Sequence, residues 1–405
     1  MPGHAEAGRK GEDVRSDLHV NVQLRKSGGR TVDVESKVAT YYGQSITATV
    51  EGVLDALAVR HARVGVDDTG ALPFVIAARV ETALRRAGVT SDGDARPTRT
   101  CVPLAPQRDR PRRSRLYLPG NEPKFFVNAG LHRPDAVILD LEDSVHPDEK
   151  DAARLVVRNA LRCVDFGDAE RMVRINQLPV GFDDLEAVVP EAPHVVLVPK
   201  AERTEDVRAV HERILDIQRR VGSDTAIWLM PILETALGVE HAFAIATAAD
   251  TVVALTVGLE DYTADLGVTK TAEGSESLYA RMRLVNAAKA AHVQAIDSVF
   301  GDVGDMEGIA AWARRSHALG FEGMGCIHPR QIGPIHDAFA PSTEEIEKAL
   351  RVVAAFDDAQ AKGLGVVSLG TRMIDPPVVR RAQRVVAAAR QAGLIADTGA
   401  AGSKG

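Results

Sequence analysis

Eight short apolar runs, separated by stretches of helical periodicity, fill the chain from Ser114 to about residue 340 and predict an α/β protein built on a (β/α)8 (TIM) barrel. The runs are RLYLPG, AVILDLED, RMVRIN, VVLVPK, AIWLMPILE, VVALTVGLED, QAIDSVF and GMGCIHP. Parallel strands buried on both faces read as such continuous apolar runs. Five of the runs end in a polar residue suited to chemistry, and a barrel gathers its functional side chains at the C-terminal ends of its strands. No GxGxxG follows the first run, which argues against an open dinucleotide-binding sheet.

Residues 1–15 are polar and Gly-containing, the composition of a disordered segment. Residues 16–90 read as a small α+β domain. Leu18, Val20, Val22 and Leu24 alternate with polar residues, KSGGR supplies a turn, and Val32, Val34 and Val38 resume the alternation, so a hairpin is expected. Ile46, Val50, Val53, Leu54 and Leu57 share one helical face, with Ser45 as N-cap. A short strand at ARVGV and the turn DDTG precede a second helix from Pro73 to near Gly88. Residues 91–113 are rich in Pro, Arg and Asp without periodicity and read as a linker. The barrel is assigned residues 114–340. Residues 341–405 form a helical extension: a Ser342-x-x-Glu345 capping box opens one helix, and another is expected from Val378 to Ala392. This tail is long enough to fold over the barrel mouth or to reach a neighbouring subunit.

The chain of 405 residues exceeds one ordinary core, so two domains are the natural expectation. A formal net charge of -7 argues against general nucleic-acid binding. Cys101, Cys163 and Cys326 lie far apart with no CxxC, which indicates neither a zinc site nor a disulfide framework. The first residues lack an apolar signal-type stretch and no later run approaches membrane-spanning length, so a cytoplasmic setting is expected.

Glu234 and Asp261 end adjacent runs and can bind Mg2+, which prefers oxygen ligands; alternatively each caps the helix that follows. Arg174 and Asn176, two residues apart, face one side of their strand, where a guanidinium grips a carboxylate or a developing enolate. The other reading pairs Arg174 with Asp140 or Glu142, which share a side of the preceding strand and are themselves substrate-site candidates, ordering metal waters or Arg174. Lys200 binds substrate or forms a salt bridge; a Schiff-base role needs a desolvated lysine. His328 in CIHPR reads as structural. Arg108, Arg110, Arg112, Arg113 and Arg115 run into the first barrel strand, either to hold substrate phosphates at the rim, Arg113 among them, or as a solvated linker charge run.

From Arg113 to Arg390 the chain resembles the citrate lyase β-subunit family, within the aldolases acting on acyl thioesters. The resemblance rests on RSRLYLPGNEP, AVILDLEDSVHPDEKDAAR, VRINQL, VPKAE, PILETALG, GLEDYTADLG, CIHPRQI and MIDPP. It implies Mg2+ held by Glu234 and Asp261, Arg174 stabilising an enolate, and Asp375 reaching a neighbouring subunit's site as an acid/base in a homo-oligomer (trimer or hexamer). It also implies a CoA-type thioester substrate and a keto acid, with other citrate lyase-like subunits as candidate partners. The first domain is similar to the citrate lyase acyl carrier (γ) subunit, chiefly in VGVDDTGALPFVIAARVETALRRA. In that family a serine carries a phosphoribosyl-dephospho-CoA arm; Ser16, in Val14-Arg15-Ser16-Asp17, is the corresponding candidate. The expected function is therefore Mg2+-dependent carbon–carbon cleavage or condensation of a citryl, malyl or citramalyl thioester. A pyruvate-type aldolase that needs no CoA and a carrier or assembly protein with a silent barrel are the competing readings.

Overall fold

The alternation in the first domain becomes a sheet of four strands, β1 (His4–Gly8), β2 (Leu18–Leu24), β3 (Arg30–Ser36) and β4 (Ala62–Asp68), in the order β1-β2-β4-β3. The computed structural model describes residues 3–102, 104–361, 367–369, 372–391 and 393–395. It divides into two units, Met1–Ile332 and Gly333–Gly405.

Three expectations for the first domain change. Residues 4–8 are not disordered: they add β1 antiparallel to β2 and bury Ala7; residues 1 and 2 lie outside the described residues. β2 and β3 do not pair as a hairpin, because β4 lies between them, antiparallel to β2 and parallel to β3. Ala62, Val64 and Val66 of β4 are buried, so this strand supplies the apolar contacts a hairpin partner would otherwise provide. Helix α1 (Ala39–Ala56) starts six residues before Ser45, after a turn in which Ser36 Oγ accepts from the Val38 N–H at 3.1 Å.

Helix α2 (Pro73–Arg86) is buried from Phe74 to Leu84, polar residues included. One face covers the sheet and the other lies on α3 (Lys150–Cys163) of the barrel. Polar groups in that seam are all partnered. Arg79 donates two bonds to Asp17, at 3.0 and 2.8 Å, and one of 2.6 Å to Asn121 Oδ1. Arg158 of α3 pairs with Glu81 at 2.6 Å, and Asn159 Nδ2 donates to the Phe74 carbonyl at 3.0 Å. The connecting segment is held at Arg96 and Arg99, which converge with Arg162 on the buried carboxylate of Glu191.

All eight apolar runs are strands of one closed parallel barrel: β5 (Ser114–Pro119), β6 (Ala136–Asp140), β7 (Glu170–Arg174), β8 (Val195–Val198), β9 (Trp228–Leu233), β10 (Ala254–Val257), β11 (Gln294–Asp297) and β12 (Gly323–Cys326), with β12 pairing back to β5. Helices α4 (Val180–Val188), α5 (Thr204–Val221), α6 (Ala236–Glu240), α7 (Ala242–Ala246), α8 (Leu259–Leu266), α9 (Leu278–Ala290) and α10 (Met306–Leu319) join α3 in the connections. The barrel interior is filled by Ile138, Met172, Leu197, Met230, Ile232 and Ile296, all buried. Each such side chain removed from water contributes roughly 1.5–3 kcal/mol, which fixes the frame on which the strand ends sit.

The arginine run does not reach the rim of the mouth. It precedes β5 and so lies at the N-terminal ends of the strands. Arg113 chelates Asp135 at 2.9 and 2.8 Å, Arg112 is buried against Glu170 at 2.7 and 2.8 Å, and Arg108 and Arg110 bind backbone carbonyls. Arg113 is thus a closing residue of the barrel floor, not a substrate contact.

After α11 (Ile332–Phe339), whose first residue closes the first unit, the second unit continues with α12 (Thr343–Ala361), the short pair β13 (Val367–Leu369) and β14 (Arg372–Ile374), and α13 (Pro376–Gln391). Ser342 and Glu345 form the expected reciprocal cap. Ala349, Val352, Val379 and Val386 form the core between α12 and α13. Ala392, the expected end of the last helix, lies outside the described residues. Among the described residues no helix is long and apolar enough to cross a membrane.

Candidate active site at the barrel mouth

A cavity of about 400 Å³ opens at the C-terminal ends of the strands, lined by Tyr117, Asp140, Arg174, Glu234 and Asp261 among others. Asp140 is the last residue of β6 and Arg174 the last of β7, directly opposite one another in the ladder. Arg174 Nε and Nη2 donate to the two carboxylate oxygens of Asp140 at 2.7 and 2.8 Å. Its Nη1 lies 2.8 Å from Glu142 and 3.2 Å from Asp143, and its guanidinium stacks 5.3 Å from the Tyr117 ring centre. Arg174 is therefore a buried ion pair that also faces the cavity. Burial disfavours its charge, but Asp140 outweighs this and raises the pKa. Burial likewise opposes ionisation of Asp140, and Arg174 overcomes it. The guanidinium is thereby fixed, charged and oriented before any ligand arrives.

Glu234 follows β9 and is buried, accepting the Lys200 backbone N–H at 2.7 Å. Burial first, then repulsion from Glu142 and Asp261, pushes its carboxyl up to about 8. Burial also lifts Glu142 to about 7, against the pull of Arg174. Asp261 stands not at a strand end but in the first turn of α8, four residues beyond β10, so it serves a helix N-terminus and the cavity together. Gly258 makes this arrangement possible: a Cβ there would lie 2.4 Å from Glu234 Oε2.

Lys200 reaches both acidic groups, 3.5 Å from Asp261 and 3.8 Å from Glu142. Its partial burial disfavours the charge, yet Asp261 and Glu142 prevail and raise its pKa, the opposite of what a Schiff-base lysine requires. Asn176 is not in the cavity. β7 ends at Arg174, the side-chain alternation stops there, and Asn176 turns to Asp184 of α4 through two bonds of 2.7 and 2.8 Å. His328 accepts the Arg330 N–H and caps a short turn, a structural role. Ser16 has a left-handed backbone (φ 54°), is half-buried, and precedes Asp17. Asp375 belongs to the second unit, where its Oδ1 accepts the Val378 N–H at 3.1 Å and caps α13.

Sequence reasoning left out Tyr117, Thr256 and Gly258, and placed Arg115 wrongly within the rim run. The signal for Arg115 and Tyr117 was the inward parity of RLYLP, which points both into the lumen with Pro119.

Among the described residues no group of three His, Cys, Asp or Glu forms a ready metal cage. The two carboxylates of Glu234 and Asp261 nonetheless fit Mg2+, which takes one or two protein carboxylates and completes its shell with water and substrate oxygens. Five acids (Asp140, Glu142, Asp143, Glu234, Asp261) crowd Arg174 and Lys200, and repulsion among them adds to the burial that pushes Glu234 up to about 8. Such a site is chemically suited to a divalent cation beside a fixed guanidinium.

Residues 113–329 match the HpcH/HpaI aldolase/citrate lyase family. The chain belongs to the HpcH/HpaI aldolase/citrate lyase family. Residues 9–87 match the malonate decarboxylase delta subunit (MdcD) family of acyl carrier proteins. Among curated relatives, citrate lyase subunit beta of Leuconostoc mesenteroides subsp. cremoris is 38% identical over 294 residues, covering 72% of this chain and 97% of that protein. The L-malyl-CoA/beta-methylmalyl-CoA lyase of Cereibacter sphaeroides is 32% identical over 312 residues, covering 72% and 97%. Among solved structures, CitE from Mycobacterium tuberculosis in complex with magnesium, acetoacetate and coenzyme A is 31% identical, with a TM-score of 0.57, and covers 71% of this chain and 100% of that one. Membership of this aldolase/citrate lyase family accounts for the barrel, and the MdcD-like match for the small domain before it.

Proposed function

We propose that this chain is a Mg2+-dependent carbon–carbon lyase that cleaves a 3-hydroxyacyl thioester, such as a citryl, malyl or citramalyl thioester, to an acyl thioester and a 2-keto acid, or runs the reverse condensation. The observation that carries the reading is one cavity in which Glu234 and Asp261 sit beside Arg174, itself locked by Asp140. The relatives named as a citrate lyase subunit and a malyl-CoA lyase, and the magnesium and coenzyme A in the CitE complex, support it.

Glu234 and Asp261 are the residues to hold Mg2+, which when bound supplies Lewis-acid polarisation of the keto-acid half. A base takes the 3-hydroxyl proton, the C2–C3 bond breaks to give the carbonyl of the keto acid, and the electron pair passes to C2 and its thioester as an enolate. Arg174 opposes that growing negative charge without reorganising, because its other edges are already bonded. Protonation at C2 then completes the acyl thioester. Asp375, contributed by a neighbouring subunit of a homo-oligomer, is the proposed proton carrier. Asp140 and Glu142 position Arg174, and Lys200 steadies Asp261 and Glu142.

The acyl group rides on CoA or on the fused carrier-like domain. In the β1–β2 connection Ser16 is the residue with a hydroxyl, so an arm there would add mass to the intact chain that Ser16→Ala removes. The decisive assay presents the full chain with citryl-, malyl- and citramalyl-CoA, with Mg2+ and with chelator. Magnesium-dependent cleavage abolished by Glu234→Gln is expected; no cleavage or condensation of any ester refutes the reading.

A further inference from the structure

One charged side chain in this cavity has no part in the reaction as written. Arg115 of β5 points into the barrel and runs across the lumen, its guanidinium donating to Thr256 Oγ1 of β10 at 2.8 Å, to Met230 Sδ of β9 at 3.0 Å and to the Asp297 carbonyl at 3.3 Å. It is fully buried, and its Nε has no hydrogen-bond partner. Other fully buried arginines are matched to carboxylates: Arg79 to Asp17, Arg112 to Glu170, Arg281 to Asp297. Arg115 has none within ion-pairing distance among the described residues. A neutral hydroxyl, a thioether and a carbonyl are poor company for a desolvated cation, which is retained in such a place only when something compensates it.

The acids nearby are committed elsewhere. Asp297 holds Arg281 and Ser316, and Asp140 holds Arg174. Arg115 and Thr256 both line the cavity that carries Glu234 and Arg174, so the missing counter-charge has access from the substrate side. The partner this arrangement suits is a carboxylate brought by the ligand, beyond the keto-acid oxygens that face Glu234 and Asp261.

We propose that Arg115 is the specificity-determining residue of this site, taking a second carboxylate on the keto-acid half, so that the preferred substrate releases a keto dicarboxylate. This rests on the lyase reading above and narrows it. A citryl thioester, whose cleavage gives oxaloacetate, carries that second carboxylate; a citramalyl thioester places a methyl group there and a malyl thioester a hydrogen.

The test compares kcat/KM for citryl-CoA and citramalyl-CoA with Mg2+ in the wild-type chain and in Arg115→Met, an unbranched apolar replacement. The wild type should favour citryl-CoA. Arg115→Met should lower citryl-CoA cleavage roughly ten- to a hundredfold, the value of a charged hydrogen bond, while leaving citramalyl-CoA within a few-fold. Arg115→Lys should recover part of the loss. Equilibrium binding of oxaloacetate and of pyruvate to the same proteins gives a readout that does not need turnover: only oxaloacetate should weaken in Arg115→Met. A wild type that prefers citramalyl- or malyl-CoA overturns the proposal but leaves the lyase reading intact. So does an equal fall for both esters, or an unchanged oxaloacetate affinity. Cleavage of none of the esters overturns both.

Discussion

Replacing Arg79 by Met removes a buried ion pair inside the carrier-like domain, together with the bond that this arginine makes to Asn121 of the barrel. Arg79 is fully buried, its partner Asp17 nearly so, and together with Asn121 of the loop after β5 they form three bonds between 2.6 and 3.0 Å. Without the guanidinium, the Asp17 carboxylate keeps only the Leu18 backbone N–H, at 2.9 Å. Breaking a buried pair from one side costs about 3–5 kcal/mol. Even the lower figure shifts a folding equilibrium by more than a hundredfold. Urea unfolding followed by far-UV circular dichroism measures the loss, and tryptic cleavage at Arg99 and Arg108 reports release of the connecting segment. Arg79→Met should lose about 3 kcal/mol or more and become cleavable there, and Asp17→Asn combined with it should recover a large part of the stability. A loss under about 1 kcal/mol with unchanged cleavage would refute the idea that this arginine holds the domain together and to the barrel.

Other variants probe the site and the barrel floor. Gly258→Ala drives a methyl to within 2.4 Å of Glu234 Oε2, so Mg2+ affinity measured by calorimetry should fall roughly ten- to a hundredfold. Asp140→Asn removes the fork that orients Arg174; kcat should drop roughly a hundredfold with KM little changed, and an effect on KM alone would contradict a positioning role. His194 is buried, its Nδ1 accepting the Arg171 N–H at 3.1 Å, and burial pushes its pKa down to about 4. Because the folded value lies below the ordinary one, the neutral ring's contribution is complete above about pH 6.5 and is lost as pH falls towards 4. At pH 5 the loss should be about 2 kcal/mol by urea unfolding, and His194→Asn should flatten that dependence.

The barrel was legible because its strands are buried on both faces and so leave eight uninterrupted apolar runs. The strand ends told where chemistry gathers, and Asp140, Arg174 and Glu234 stand there. Pairing was less legible: β4 inserts between β2 and β3, and alternation states which face a residue takes but not which strand lies beside it. Residues 4–8 looked disordered because an edge strand that buries little more than Ala7 needs few apolar residues. Arg113 was misplaced by charge alone, although residues that precede a barrel strand lie at the N-terminal end, away from the mouth. Asn176 fell to the same kind of rule, since two-residue parity ends where β7 ends. Arg115 and Gly258 were hidden for another reason: one matters for a partner it lacks, the other for a side chain it does not have.

The central claim is that the acids at the mouth make this barrel a Mg2+-dependent thioester lyase. Its most direct test is initial-rate cleavage of citryl-, malyl- and citramalyl-CoA by the intact chain, with Mg2+ and after chelation, beside Glu234→Gln. Keto-acid release that needs Mg2+ and vanishes in Glu234→Gln is the predicted result. Release that survives both chelation and Glu234→Gln, or no turnover of any ester in either direction, would contradict it.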